Sequence, residues 1–191
     1  MSMKKPFLAA PHLWTIGHST RSADGFLQLL TTHGIRLLVD VRRYPGSRRF
    51  PHFYADQLAE RLTRAGLSYE HLPALGGRRP ARADSMNLGW RNASFRGYAD
   101  YMETDAFQRA LDRLAALGRE TPAAVMCAEA VPWRCHRSLI ADALLVRGWE
   151  VLHIMGGNQV LPHQLPAFAV VQGERLLYPA TAEPDSAPRL F

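Results

Sequence analysis

The chain has 191 residues, of which 47% are hydrophobic, and it carries a formal net charge of +6 at pH 7. This length fits one domain, and the hydrophobic fraction is sufficient for a packed core, which excludes a wholly disordered protein. No segment reaches the roughly 18 consecutive apolar residues of a membrane-spanning helix, and two cysteines cannot form a disulfide framework. We therefore expect a cytoplasmic protein that does not associate with membranes.

Apolar runs and segments with helical periodicity alternate along the chain. Strands are predicted at residues 13–16, 35–41, 67–72, 123–127 and 150–155. Helices are predicted at residues 22–32, 54–65, 97–103, 106–117 and 135–147, with Ser22 and Thr104 as caps. Such alternation is typical of a parallel sheet covered by helices on both faces. We predict an α/β fold with a mostly parallel sheet of about five strands, in a Rossmann-like three-layer arrangement.

The domain is expected to span residues 1–178, with its core at about 13–155 and a small hairpin within 168–178. Residues 179–191 are rich in proline and alanine and are expected to form a flexible tail. Residues 73–96 form an irregular stretch, and loops of that length are usually functional or mobile.

Positive charge is concentrated in two of the predicted loops. Arg42, Arg43, Arg48 and Arg49 lie in a segment without acidic residues, and five more arginines follow between residues 78 and 96 with only Asp84 among them. Guanidinium groups bind phosphates in a bidentate manner, so Arg42, Arg43, Arg78 and Arg79 are candidate phosphate ligands. Aromatic residues interleave these arginines, and nucleobases can stack on such rings. The expected partner is an anionic small molecule or a nucleic acid.

Ligands of parallel sheets bind beyond the carboxyl ends of the strands. Five segments follow predicted strands and contain most of the chemically reactive side chains, namely residues 17–21, 42–46, 75–79, 129–135 and 156–158. We expect these segments to meet at one edge of the sheet and to form a site there.

The segment from Cys127 to Arg137 contains the strongest candidates for catalysis. Cys135 lies at the predicted start of a helix, where the helix dipole favours a thiolate nucleophile, although it could equally be a packing residue. Cys127 ends a strand and is interpreted as a small buried hydrophobic residue. Glu129 is either a general acid or base or an ion-pair partner of Arg134 or Arg137.

Other candidates support this segment. His18 follows the first strand and should converge with Glu129 and Cys135, while His136 and Arg137 are candidate substrate-binding residues. Asp40 lies inside a buried strand and needs a polar partner, so its role is interpreted as architectural. Zinc binding by Cys127, Cys135 and His136 is disfavoured because the cysteine spacing is not that of a structural site. No Walker or dinucleotide motif is present, and we predict no metal and no cofactor.

Several motifs, in order along the chain, resemble a bacterial family known as domain of unknown function 488. They are Thr15-Ile16-Gly17-His18-Ser19, Leu38-Val39-Asp40-Val41-Arg42 with Pro45-Gly46-Ser47, Leu72-Pro73-x-Leu75-Gly76-Gly77, and Cys127-x-Glu129 with Cys135-His136-Arg137. The resemblance implies a compact α/β domain and marks Cys127, Glu129, Cys135, His136 and Arg137 as signature positions. It implies no established reaction.

Three functional hypotheses follow from these residues. The first is an enzyme that acts on a phosphorylated, nucleotide or nucleic-acid substrate, with Glu129, Cys135 and His18 as catalytic residues. The second is an RNA- or DNA-binding module that uses the arginines and aromatic rings without catalysis. The third is a structural zinc domain. The Cys127–Arg137 segment favours the enzyme, because a simple basic binding surface does not need it.

Overall fold

The computed structural model describes residues 10–46 and 49–180. The main sheet contains β1 (His12–Gly17), β2 (Leu37–Asp40), β3 (Ser68–His71), β4 (Ala123–Cys127), β5 (Glu150–Gly156) and β6 (Gln159–Pro162). The strand order is β3-β2-β4-β1-β5-β6; β1 to β5 are parallel, and β6 is antiparallel to β5. The predicted, mostly parallel sheet is confirmed, and β6 is an addition to it.

The helices within the described residues are α1 (Ala23–Thr32), α2 (Ala55–Arg64), α3 (Ala93–Met102), α4 (Asp105–Glu120) and α5 (Arg137–Val146). The Ser22 hydroxyl accepts a hydrogen bond from the Gly25 N–H at 3.1 Å and caps α1, as predicted. Helix α3 begins earlier than predicted because Asn92 caps it. Helix α5 begins later than predicted, at Arg137, because a 3-10 helix (Pro132–Arg134) and an extended Cys135 precede it.

Helices cover both faces of the sheet and create two apolar clusters. Alternate residues of a strand point to opposite faces, and β4 divides accordingly: Ala124 and Met126 pack with α1 and α2, whereas Ala123, Val125 and Cys127 pack with α3, α4 and α5. This arrangement confirms the three-layer α/β prediction. It also places the Cys127 side chain on the same face of the sheet as α5. No helix in the described ranges is long and apolar enough to cross a bilayer.

The irregular stretch between β3 and α3 is held by a buried carboxylate of α3. Asp100 accepts hydrogen bonds from the Arg82 N–H at 2.8 Å, the Ser85 hydroxyl at 2.6 Å and the Asn87 side chain at 2.9 Å. The Asn87 side-chain oxygen in turn accepts the Tyr178 N–H at 3.0 Å. These bonds fix the loop against the domain and connect it to the segment after the hairpin.

The predicted hairpin is present as β7 (Val170–Gln172) and β8 (Arg175–Leu177), paired in antiparallel fashion. The predicted flexible tail lies, from residue 181 onward, outside the described residues.

Candidate functional site

A cleft of about 720 Å³ opens at the carboxyl edge of β1, β2 and β4. Its walls are residues 18–20, 42–44, Gly46, Phe50, Gly77, Arg78, 127–130 and His136. Four of the five segments predicted to gather at this edge therefore contribute to the cleft. The fifth, residues 156–158, does not line it; it comprises the last residue of β5 and the two-residue turn into β6.

Most of the predicted site residues line this cleft, and three do not. His18, Arg42, Arg43, Arg78, Glu129 and His136 lie in its walls. Cys135 and Arg137 are buried beneath it, with 4% and 1% of their surface exposed. Arg79 stacks over the Tyr101 ring at 3.7 Å and donates to the Gly76 and Ala74 carbonyl oxygens, so its guanidinium stabilises the loop instead of facing the cleft. Cys127, interpreted as a packing residue, does reach the cleft wall.

One wall of the cleft rests on a buried ion pair at the end of β2. Arg42 donates to both Asp40 carboxylate oxygens, with the shortest N···O distance at 2.6 Å, and Tyr69 donates its hydroxyl to the same carboxylate at 2.8 Å. Asp40 is fully buried and Arg42 is 6% exposed. Asp40 thus has the polar partner that its burial was predicted to require. Asp40, the Phe53 carbonyl oxygen and His18 together engage the Arg42 Nε and both terminal nitrogens, so Arg42 stabilises this wall, and its role as a phosphate ligand stays a prediction.

The same arginine orients His18. The His18 Nδ1 lies 3.0 Å from the Ser19 carbonyl oxygen, to which it donates, so Nε2 is the acceptor that faces the Arg42 Nη1 at 3.3 Å. Burial, followed by the charge of Arg42, lowers the pKa of His18 to about 4. Its ring also stacks on Phe53 with the centroids 4.2 Å apart. His18 is therefore a neutral imidazole in a fixed tautomer at neutral pH.

Arg137 ties the loop after β4 to the end of β1. Its guanidinium donates to the carbonyl oxygens of Ile16 at 2.9 Å, Glu129 at 2.8 Å and Ala130 at 3.1 Å. No carboxylate within the described ranges pairs with it. The backbone of Glu129 lies so close to Gly17 that a Cβ at position 17 would be 1.9 Å from the Glu129 carbonyl oxygen. Only glycine fits at this position.

Two thiols and an imidazole form a cluster at the floor of the cleft. The His136 Nδ1 lies 3.9 Å from the Cys127 Sγ and 3.7 Å from the Cys135 Sγ. A hydrogen bond from the Cys135 thiol, together with His136 and Arg137, holds the pKa of Cys127 well below its usual range although burial opposes this. The hydrogen bond with Cys127 and burial raise the pKa of Cys135.

Cys135 precedes α5 by two residues, so it lies outside the first turn of the helix. Of the two interpretations of Cys135, its burial and its raised pKa favour the packing residue over a thiolate stabilised by the helix terminus. Whether Cys135 takes part in catalysis stays a prediction, but the thiol that lines the cleft is that of Cys127.

Glu129 is a carboxylate of the cleft that has no ion-pair partner among the described residues. Its side chain is exposed, and within that part of the chain its Oε1 accepts a hydrogen bond from the N–H of Ala130, at 3.0 Å. Neither Arg134 nor Arg137 forms an ion pair with it; Arg137 binds its main-chain oxygen. Of the two interpretations of Glu129, the structure removes the ion pair and leaves the carboxylate available to a substrate.

The rim of the cleft is cationic and aromatic. The Arg43 guanidinium lies 5.7 Å from the centre of the Tyr44 ring and donates to the Arg78 carbonyl oxygen at 3.2 Å. Tyr44 is 65% exposed, and Arg43 and Arg78 have no ion-pair partner among the described residues. Arg78 and Ser19 both adopt positive φ, at 60° and 49°, and both line the cleft. Such backbone strain in residues other than glycine clusters at functional sites.

Three residues that line the cleft were not among the predicted site residues: Cys127, Gly77 and Tyr44. A Cβ at Gly77 would lie 2.9 Å from the His136 Nδ1, so this glycine permits close contact with the imidazole. The Gly76-Gly77 pair was the available signal, but glycine pairs are common in turns.

The fold and the cleft define a three-layer α/β protein with a cysteine- and arginine-containing site at the carboxyl edge of its sheet. A family model described as "Domain of unknown function DUF488" matches residues 22–144, well over half of the chain, and the chain belongs to that family. The predicted resemblance is thus confirmed. No curated protein and no solved structure matches the chain.

Proposed function

We propose that this protein is an enzyme that binds a nucleotide, or a similarly phosphorylated small molecule, in the cleft and uses Glu129 as its general acid or base. The observation that supports this most directly is that one cavity combines an arginine-rich rim with a carboxylate that no described residue pairs. A volume of about 720 Å³ is in the range of small-molecule sites.

The rim suits a phosphate and a base together. Arg43 and Arg78 offer guanidinium groups that no described carboxylate occupies, and charge-assisted bonds to phosphate are about twice as strong as neutral ones. The exposed Tyr44 ring beside Arg43 provides a surface on which a base can stack. Arg42 and His18, locked by Asp40, form the rigid wall behind them.

Nucleotide binding is tested by calorimetric titration with the four nucleoside monophosphates. We expect replacement of Arg43 and Arg78 by alanine to weaken binding by about tenfold each, the equivalent of losing one charge-assisted hydrogen bond. Arg109→Ala, on the exposed side of α4, is the matched control and should leave binding unchanged. Equal losses from all three variants would indicate a general charge effect and contradict the proposed contacts.

Catalysis is tested at Glu129. We expect Glu129→Gln to abolish turnover of the bound nucleotide while its dissociation constant changes little, because the amide keeps the shape and loses the proton acceptor. Glu150→Gln is the matched control, since Glu150 is also exposed but starts β5 at the opposite edge of the sheet. Loss of binding instead of turnover would refute the catalytic role.

The alternative is a nucleic-acid-binding module that uses the same rim. Arg49 lies over the Phe50 ring at 5.4 Å, which extends the arginine–aromatic surface beyond Tyr44. This alternative predicts tight oligonucleotide binding that falls steeply with salt and survives Glu129→Gln. Such a result, without binding of the mononucleotides, would replace the enzyme proposal.

A further inference from the structure

The cluster at the floor of the cleft has the composition and the dimensions of a metal site. The ligand atoms of Cys127, Cys135 and His136 all lie within 4.8 Å of one another. With Zn–S bonds of about 2.3 Å and Zn–N bonds of about 2.0 Å, a tetrahedral ion holds its sulfur and nitrogen ligands about 3.6 Å apart. The observed S···N distances of 3.7 and 3.9 Å already approach this value.

The backbone holds the cluster in place. Cys127 ends β4, and its carbonyl oxygen accepts the His18 N–H at 3.0 Å. The 3-10 helix Pro132–Arg134 turns the chain back, and the Cys135 N–H donates to the Pro132 carbonyl oxygen at 2.9 Å. The backbone is extended at Cys135 and helical at His136, and with this change of direction the two neighbouring side chains converge. The three ligands therefore need little rearrangement to bind an ion.

Three protein ligands leave one tetrahedral position free, as in catalytic zinc sites. Cys127 and His136 line the cleft, whereas Cys135 lies beneath it. Gly77 packs over the face of the imidazole, because a Cβ there would lie 2.9 Å from Nδ1, 3.2 Å from Cγ and 3.3 Å from Cε1. This glycine therefore lets the loop hold the ring in place beside the cleft, on which both Cys127 and His136 open.

We propose that Cys127, Cys135 and His136 form a Zn²⁺ site whose open fourth position faces the cleft. The inference rests on the proposed function for its substrate, a nucleotide, and adds the nucleophile, a metal-bound water. Thiolate and imidazole ligands suit zinc, and zinc lowers the pKa of bound water to about 7. The expectation of no metal came from sequence spacing, which does not reveal that Cys135 and His136 converge on Cys127.

The reaction that this site supports is a hydrolysis. The oxygen of the bound water attacks an electrophilic carbon or phosphorus of the nucleotide, and Glu129, which lines the same cleft, accepts the water proton. The bond to the leaving group then breaks, and the proton passes from Glu129 to that group. No electrons are gained or lost overall, so no further reactant is required. Zinc enzymes that deaminate nucleobases with water divide the roles in the same way between a Cys/His-bound ion and a glutamate.

Metal binding is tested without substrate. Metal-free protein is titrated with Zn²⁺ against a chromophoric chelator, and with Co²⁺ while the absorption spectrum is recorded. We expect one ion per chain, tetrahedral cobalt bands, and a thiolate-to-cobalt charge-transfer band that reports on Cys127 and Cys135, the two cysteines of the chain. Azide should shift the cobalt bands, because it can occupy an open position.

Variants assign the ligands. We expect Cys127→Ser, Cys135→Ser and His136→Gln each to weaken Zn²⁺ binding by more than the 10–100-fold that loss of a second-shell partner causes. His33→Gln, outside the cleft, is the matched control and should bind normally. In the wild-type protein, Zn²⁺ should also protect both thiols from iodoacetamide, a readout that does not depend on the folding of any variant.

The outcomes separate the two proposals. No charge-transfer band, or unprotected thiols in the presence of Zn²⁺, overturns the metal site even if nucleotides are turned over. If cobalt binds but azide does not change its absorption spectrum, the proposal that the fourth coordination position is open is refuted. Stoichiometric, azide-sensitive zinc without nucleotide binding upholds the metal site and refutes the proposed substrate.

Discussion

The buried ion pair between Asp40 and Arg42 provides a direct test of how the cleft wall is stabilised. Asp40→Asn removes the negative charge but keeps the shape of the side chain. It leaves the Arg42 guanidinium, which is 6% exposed, without a counter-ion and directs an amide N–H toward it. Breaking a buried pair on one side typically costs about 3–5 kcal/mol. We expect a loss of that size here.

A second ion pair in the same protein serves as the matched control. The N···O distance between Arg61 and Asp24 is 2.7 Å, nearly the 2.6 Å of the buried pair. The side chains of Asp24 and Arg61 are, however, 89% and 44% exposed. Exposed pairs contribute about 0–1 kcal/mol. Asp24→Asn should therefore destabilise the protein by less than about 1 kcal/mol, so the comparison isolates burial from geometry.

The assay is urea denaturation followed by circular dichroism. With a slope of about 2 kcal/mol per molar urea, Asp40→Asn should lower the midpoint by roughly 2 M, and Asp24→Asn should barely change it. The slope should be the same in all three proteins. Equal midpoint shifts for the two variants would refute the argument that burial makes the Asp40–Arg42 pair important.

Three further predictions concern other buried polar groups and close contacts. Burial, followed by the charges of His163 and Arg137, lowers the pKa of His153 to about 3, so His153 is neutral in the fold and takes up a proton near pH 6.5 only when unfolded. The free energy of unfolding should therefore fall as the pH drops below 6.5, and His153 should account for about 2 kcal/mol of the loss between pH 7 and 5. Measurement of the unfolding free energy at both pH values checks this. If His153→Gln lost as much stability between the two pH values as the wild-type protein, the prediction would be contradicted. Tyr178→Phe removes the hydroxyl that donates to the buried Asp142 at 2.6 Å, and urea denaturation should show a loss of about 1–3 kcal/mol in unfolding free energy. Tyr44→Phe, on the surface, is the control and should lose less than about 0.5 kcal/mol. Similar losses for the two variants would argue against a stabilising contribution from the buried hydrogen bond. Gly97→Ala places a Cβ 2.2 Å from the Arg79 carbonyl oxygen and should lower the unfolding free energy by about 2–3 kcal/mol. Gly34→Ala has open space around the new Cβ but a φ of +67°, and it should lower the unfolding free energy by about 1 kcal/mol. If thermal unfolding gave the reverse order, backbone conformation would outweigh steric contact at these two sites.

The centre of the sheet was predictable from the sequence because β2 and β4 are short, almost continuous apolar runs. Val39 and Val125 lie in such runs, and both are completely buried in the centre of the sheet. Strand β6 was not predictable in the same way. Its residues are mostly exposed, and it is positioned by the turn at Gly157 and its pairing with β5, not by burial.

The location of the cleft was predictable, but the roles within it were only partly so. The rule that loops meet beyond the carboxyl ends of parallel strands placed His18, Arg43 and Glu129 together. It could not show that Arg79 turns away to stack on Tyr101, or that Arg137 binds main-chain oxygens instead of the Glu129 carboxylate. Such choices depend on side-chain directions and on residues up to 121 positions apart, which no local pattern encodes.

The position of β1 in the sheet has a consequence for synthesis on the ribosome. Strand β1 ends at Gly17, yet its two neighbours in the sheet are β4 and β5, which begin at Ala123 and Glu150. The apolar strand β1 is therefore synthesised well before either of its partners and stays unpaired until most of the chain has been translated. Strand pairings of such large sequence separation also form slowly. During this interval the nascent chain exposes an unpaired, aggregation-prone strand. Nascent chains of this protein should therefore depend on chaperones more than the stability of the folded protein would suggest.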